Sequence, residues 1–488
     1  MRPTSVASAA LLAALAVVVG WLGWRSLAWP LVHDAPIMHY IAWRVGGGAV
    51  PYRDLFDMNF PGVYLVHLAV VRGLGPGDLA WRAFDLAWLA LTALGVAALA
   101  APWGVVAAAG GALFFALYHL AGGAWQAGQR DYLLCLFLLA GALGVARWLE
   151  RARGAGNLLW GGLALGAGIT IKPHAAVFAG ALGVAIAVGA RRAGVGVLAP
   201  VAAFAAAAMV APLAVVVWLG ALGALPAWRA IVVDYLLPLY SRLGRPSAWG
   251  FHRWPVWIPI AVAVLASVLS AARHRRFGAR HAVAALGLAY GVAHYVGQGK
   301  GWEYHVYPLA AFAAVVLFSE VEPLLRARRL VALPLVASLV AVIMLLGAKG
   351  AEAVDAAWIK ERERRVSAVV ADLGPRLRAG ERVQVLDTTE GGIHALLRLR
   401  AAPPTRFLYD FHFFHDVEHP VIRALRAEFV RQLDARPPRF VVVFRQGWPA
   451  GGYERLARFP ELAERLDRDY RAAVPGDGYV IYAKRDDS

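Results

Sequence analysis

The chain has 488 residues, 60% of them hydrophobic and only 17% charged, with 49 Lys+Arg against 32 Asp+Glu. Soluble proteins carry about a quarter charged residues; here residues 351–488 hold 23 basic and 21 acidic side chains, and residues 1–350 hold only 26 and 11. Fibrous, disordered and single-domain soluble readings are excluded, and the pattern predicts a mainly α, polytopic membrane protein over 1–350 with a small α/β domain over 351–488. The net charge of +17 would suit nucleic-acid binding. The excess sits instead in short Arg clusters between apolar runs, which is a topology signal. Cys135 is the single cysteine, so no disulfide can form within the chain.

Taken in order, the apolar runs predict about eleven spans: 6–29, 81–100, 103–121, 131–149, 158–172, 174–190, 197–219, 255–271, 282–298, 305–320 and 330–347. Arg151 with Arg153, Arg191 with Arg192, the cluster Arg273, Arg275, Arg276 and Arg280, and Arg326, Arg328 and Arg329 fall on alternate connections. Those connections are predicted to face the cytoplasm, with the N-terminus inside. Loops 30–80, 220–254 and 299–304 and the whole tail then lie outside.

Loop 30–80 carries structure of its own. Asp34 is placed as the N-cap of a helix with Pro36 in its first turn. Ile37, Tyr40, Ile41 and Val45 follow at helical spacing, predicting an amphipathic helix along the membrane surface that ends at Gly46–Gly48. Phe60–Gly73 is too short to cross and is expected to be interfacial or re-entrant. In the tail, a helix over 352–372, strands at Arg382–Leu386, Phe440–Phe444 and Tyr479–Ala483, and a helix over 420–434 predict the α/β domain.

Ionisable residues at membrane depth or on the rim are costly and mark candidate sites. Asp34 can be a cap, a general base toward a hydroxyl or amine, or both, since a helix N-terminus keeps a carboxylate ionised. Asp54 and Asp57 read as turn residues; with Asp34, His33 and His39 they could also hold a divalent metal. Arg130 and Asp131 open a span as an ion pair or a site. Lys172 is an isolated cation before Pro173, either snorkelling or offered to a phosphate. Lys300, Glu303, Tyr304 and His305 combine cation, carboxylate, imidazole and aromatic ring in one short loop, suited to a phosphate and a sugar ring or to an aromatic belt. His412, His415 and His419 lack convincing zinc spacing and are expected in a loop packed on the membrane rim. There is no phosphate-binding Gly-Lys loop, dinucleotide fingerprint or nucleophile elbow in a plausible setting.

These residues resemble a known group. His33-Asp34, the Gly48–Asp54 stretch, Phe60-Pro61-Gly62, Gln129-Arg130-Asp131, Lys172-Pro173, Tyr304-His305 and the Pro437–Val443 strand are similar to the pattern of GT-C glycosyltransferases. That superfamily includes protein O-mannosyltransferases and the aminoarabinose transferases of lipid A. The resemblance implies about eleven transmembrane helices in a GT-C arrangement and inverting sugar transfer from a polyprenyl-phosphate donor to a lipid, glycan or protein acceptor. The site is expected on the outer face of a bacterial inner membrane. Asp34 is then the expected base, and Asp54 or Asp57 the second acid beside His33. Arg130, Lys172 and Lys300 would receive the departing phosphate, with no metal or other cofactor required. A transporter or flippase of lipid-linked sugars is the rival class, without visible inverted repeats; a non-catalytic scaffold of envelope assembly is the third.

Overall fold

A computed structural model describes residues 6–151, 154–243, 254–327, 330 and 332–485. Arg153, Arg328, Arg329 and the 244–253 part of the predicted outer loop lie outside the described residues.

The bundle comprises α1 (Val6–Arg25), α2 (Ala35–Gly46), α3 (Pro61–Gly73), α4 (Asp78–Ala100), α5 (Val105–Ala121), α6 (Arg130–Arg151), α7 (Ala155–Ile171), α8 (Ala175–Arg192) and α9 (Leu198–Ala221). It continues with α10 (Leu225–Ala230), which runs into a π-helical stretch at Ile231–Tyr240, and then α11 (Trp254–Arg273), α12 (Ala279–Gln298), α13 (Tyr307–Leu317), α14 (Val321–Arg326) and α15 (Ala332–Val354). Eight helical stretches among the described residues are long and apolar enough to cross a membrane, and α5 and α7 are shorter apolar helices. Each predicted span falls on a helix.

Small residues explain the closest packing. A Cβ on Gly144 would meet the backbone of Asn157 and Gly161, and one on Gly166 would strike the Ala208 carbonyl. Helices α6, α7 and α9 therefore pack backbone to backbone, as membrane helices do where side chains are minimal. Helix α13 is buried along nearly its whole length and forms the centre of the bundle.

The two ends of the bundle differ in chemistry. At one end Arg280 pairs with Glu150, Arg276 with Glu320 and Arg326 with Glu322. At the other end the C-terminal domain sits on loop 30–80: Tyr40 donates to the Ala401 carbonyl, and Arg398 pairs with Asp78 at 2.8 Å.

Helix α2 corrects one expectation. It starts at Ala35, but Ala35 through Ala42 are all buried, so the helix is enclosed between bundle and domain rather than lying amphipathic on the membrane. Asp34 holds the N-cap position without capping, because its side chain makes no bond to the first-turn amides.

The C-terminal domain has α16 (Ala357–Leu373), β1 (Val383–Leu386), α17 (Gly392–Leu399), α18 (Pro420–Ala435), β2 (Phe440–Phe444), α19 (Pro460–Asp469), β3 (Tyr470–Gly476) and β4 (Tyr479–Lys484). Its sheet runs β1-β2-β4-β3, with β1 and β2 parallel and the other pairs antiparallel. Helices α17 and α19 and strand β3 are additions to the sequence reading. Strand β3 escapes it because its residues are mostly exposed and lack an apolar face.

Candidate active site

A cavity of about 290 Å³ lies where loop 30–80, the start of α6, the Trp302–Tyr304 loop and the C-terminal domain meet. Among the described residues Asp34 is the one carboxylate lining it and Arg130 the one guanidinium. Arg130 Nη2 lies 3.0 Å from Asp34 Oδ2, both side chains being four-fifths or more buried. His33 sits beside them, its Nδ1 3.0 Å from Asp34 Oδ1 but out of line for a hydrogen bond. Its backbone is left-handed at φ 58°, an unfavourable conformation for a residue with a Cβ, and its ring meets Trp125 edge-on. Burial pushes the Asp34 carboxyl up, but His33 and Arg130 outweigh it and hold the group well below the usual carboxylate range. Arg130 Nε is buried with no hydrogen-bond partner among the described residues.

The remaining walls are aromatic and polar: Tyr240, Trp302 and Tyr304 from the bundle side, Tyr409 and Trp448 from the domain. Such a mixture suits a sugar ring, which offers apolar faces and hydroxyl edges.

The structure redistributes most of the other sequence candidates. Asp57 is buried and accepts from Met58 N, Asn59 Nδ2, Tyr64 Oη and Tyr409 Oη. It braces the cavity wall from behind and joins the loop to the domain. Asp54 caps its own turn through Val50 N and pairs with Arg53; it lines a different, larger groove. His39 faces His67, Nδ1 to Nδ1 at 3.0 Å. Asp54, Asp57 and His39 thus each have partners apart from the His33–Asp34 pair.

Lys172 is not isolated. Its Nζ lies 3.1 Å from Asp131 Oδ2, while His294 Nε2 lies 2.6 Å from Asp131 Oδ1. This buried cluster stands immediately behind Arg130, outside the cavity lining. Asp131, His174 and His294 bring ligand atoms within 4.8 Å of one another, a donor set that could hold zinc. Lys172 already supplies the positive charge to that carboxylate, so the residues do not fit a dication without displacing it.

Lys300 donates to the carbonyls of Tyr240 and Leu243 and sits over the Tyr240 ring. It pins the end of the π-helical stretch, and with it the Tyr240 wall. Glu303 pairs with Lys349 at 2.7 Å, fixing the loop to α15. His305 is buried against Trp302, Tyr304 and His294 and supports the wall that Tyr304 forms. The histidine loop is pinned as well: His412 and His415 both bond Tyr235 Oη, at 2.8 and 2.9 Å.

Sequence reading missed Trp125, Tyr240, Tyr409 and Trp448. Trp125 and Trp448 stand in short irregular segments, Tyr240 ends the π-helical stretch and Tyr409 lies among other aromatics, so no periodicity marks them as a set. Only their convergence from four distant parts of the chain reveals a site.

No protein-family model matches the chain, and no curated protein matches it in sequence. Solved structures do match. ArnT from Cupriavidus metallidurans, in a crystal structure bound to undecaprenyl phosphate, superposes with a TM-score of 0.63 at 14% identity, covering 97% of both chains. The chain shares the fold of that ArnT over nearly its whole length. The same ArnT in the apo state gives a TM-score of 0.62. The archaeal oligosaccharyltransferase AglB from Archaeoglobus fulgidus, in complex with an inhibitory peptide and a dolichol-phosphate, gives 0.55 at 12% identity over 98% of this chain and 74% of that one. The shared fold thus extends over the bundle and the appended domain together.

Proposed function

We propose that this chain is a glycosyltransferase that moves a sugar from a polyprenyl-phosphate carrier to an acceptor hydroxyl or amine on the outer face of the bacterial cytoplasmic membrane, with inversion. The observation that carries the reading is the cavity that holds one carboxylate, Asp34, in contact with one guanidinium, Arg130. The likeness to ArnT bound to undecaprenyl phosphate and to AglB with dolichol-phosphate supports a lipid-phosphate donor.

The chemistry needs both groups. Asp34 takes the acceptor's proton as its oxygen or nitrogen attacks the anomeric carbon. The bond from that carbon to the phosphate oxygen breaks, and its electron pair leaves on the phosphate. Arg130, which still has an unused donor at Nε, stabilises that developing charge. A single displacement of this kind inverts the anomeric centre.

The resting pair is poorly set up for catalysis, because a carboxylate held far below neutrality is a weak base. Donor phosphate drawn to Arg130 competes with Asp34 for the same guanidinium. Binding of the donor therefore raises the basicity of Asp34 when a substrate is present. Lys172 and Lys300 act indirectly, through Asp131 and Tyr240. The test is a reconstituted transfer assay with polyprenyl-phosphate sugars. If purified Asp34→Asn protein transfers at the normal rate, the base is elsewhere; if wild-type protein only moves the lipid across the bilayer without transfer, the chain is a flippase.

A further inference from the structure

A second groove, larger than the cavity at Asp34, lies elsewhere on the molecule. It is open, about 930 Å³, and lies between the C-terminal end of α2, the end of α3 and the C-terminal domain. Arg44, Arg72, Arg382, Arg406 and Arg436 line it, with Arg53 beside Asp54, the one carboxylate in the lining. Arg53 is neutralised by Asp54 and Arg406 by Glu428. No described carboxylate forms an ion pair with Arg44, Arg72, Arg382 or Arg436, which come from four separate segments. Arg44, Arg382 and Arg436 all line this groove, and burial together with the Arg436 and Arg44 charges lowers the Arg382 guanidinium. Asp54 offsets part of the Arg44 charge; the like charges that converge in the groove still repel, and an anion relieves that repulsion.

The rest of the lining points to the source of that anion. Trp43, Leu68 and Val71 form an apolar part of the groove. Beyond Val71 the chain continues through Leu74 to Leu79 in the first turn of α4, both well exposed at 59% and 66%. Helix α4 is a membrane-spanning candidate, so the groove opens beside the bilayer surface. It is also separate from the transfer cavity: α2 begins next to Asp34 at one and ends at Gly46 at the other, its 12 residues spanning about 18 Å at 1.5 Å per residue.

We propose that this arginine groove binds the anionic, phosphate-bearing headgroup of a membrane lipid, with the lipid's apolar part along Leu68, Val71 and Leu74. Arginine suits the role because its planar fork pairs with phosphate oxygens in a bidentate manner. Basic pockets at membrane boundaries recognise anionic headgroups by the same chemistry.

The probe is short-chain phosphatidylglycerol titrated into detergent-purified full-length protein, with short-chain phosphatidylcholine and inorganic pyrophosphate as comparisons. Phosphatidylglycerol should bind most tightly and weaken as salt is raised. The combined variant Arg44→Gln, Arg382→Gln, Arg436→Gln should lose at least about tenfold in affinity. The matching lysine variant should keep part of it, and Arg436→Gln alone, at an exposed position, should show a smaller loss if the triple variant folds poorly. Asp34→Asn should bind the lipid as wild type does, which separates this site from the transfer reaction. Unchanged affinity in the glutamine variants overturns the proposal. Pyrophosphate or phosphatidylcholine binding as tightly as phosphatidylglycerol overturns it too, by removing the lipid or the charge from recognition.

Discussion

Arg130 and Asp34 are 96 residues apart in the chain and 3.0 Å apart in the fold. Arg130 opens α6 and Asp34 precedes α2, so the contact locks a membrane helix to the enclosed helix of the first large loop. The pair is at once a structural latch and the reactive centre proposed for transfer.

Replacing the carboxylate separates those roles. Asp34→Asn should cut turnover by a factor on the order of 10² to 10⁴, the usual worth of a positioned base. Donor affinity should hold or improve, because Arg130 is then free for the phosphate. Turnover in a reconstituted assay and titration with a polyprenyl-phosphate analogue check the two halves.

Removing the guanidinium should move the pH profile. Asp34 must be ionised to accept a proton, so activity falls as pH drops through its pKa. Burial raises that pKa, while His33 and Arg130 lower it by more. Arg130→Gln takes away one lowering charge, so the acid limb of kcat/KM should shift to higher pH, with KM for the donor rising as well. An acid limb that stays in place would mean Arg130 does not act on Asp34.

Lys172 should behave as a structural cation. Lys172→Met leaves Asp131 fully buried beside His294 without its ammonium partner, a loss of about 3–5 kcal/mol for a broken buried pair. Thermal unfolding in detergent should show it, and Lys172→Met with Asp131→Leu should recover much of the loss. A Lys172→Met protein of normal stability that binds donor poorly would return Lys172 to the phosphate site.

The Asp57–Tyr409 contact ties loop 30–80 to the domain. Tyr409→Phe removes one donor but leaves Tyr64 and Asn59 on the carboxylate, so global stability should fall by only about 1 kcal/mol. Tyr409 also lines the cavity, so donor or acceptor KM should rise more than stability drops. Limited proteolysis should show no release of the domain.

The sequence by itself determined the mainly helical class, the small C-terminal sheet and the placement of the apolar helices, because desolvating charge and backbone in lipid leaves few solutions. It also marked Asp34, since a carboxylate before Ala-Pro at a helix start is a local signal. The tertiary structure decided the rest. Asp57, Lys172, Lys300 and Glu303 carry the same charges whether they face a substrate or one another, and only packing shows that each is already partnered. The aromatic walls and the arginine groove come from segments as far apart as Arg44 and Arg436, brought together by long-range contacts that no local pattern encodes.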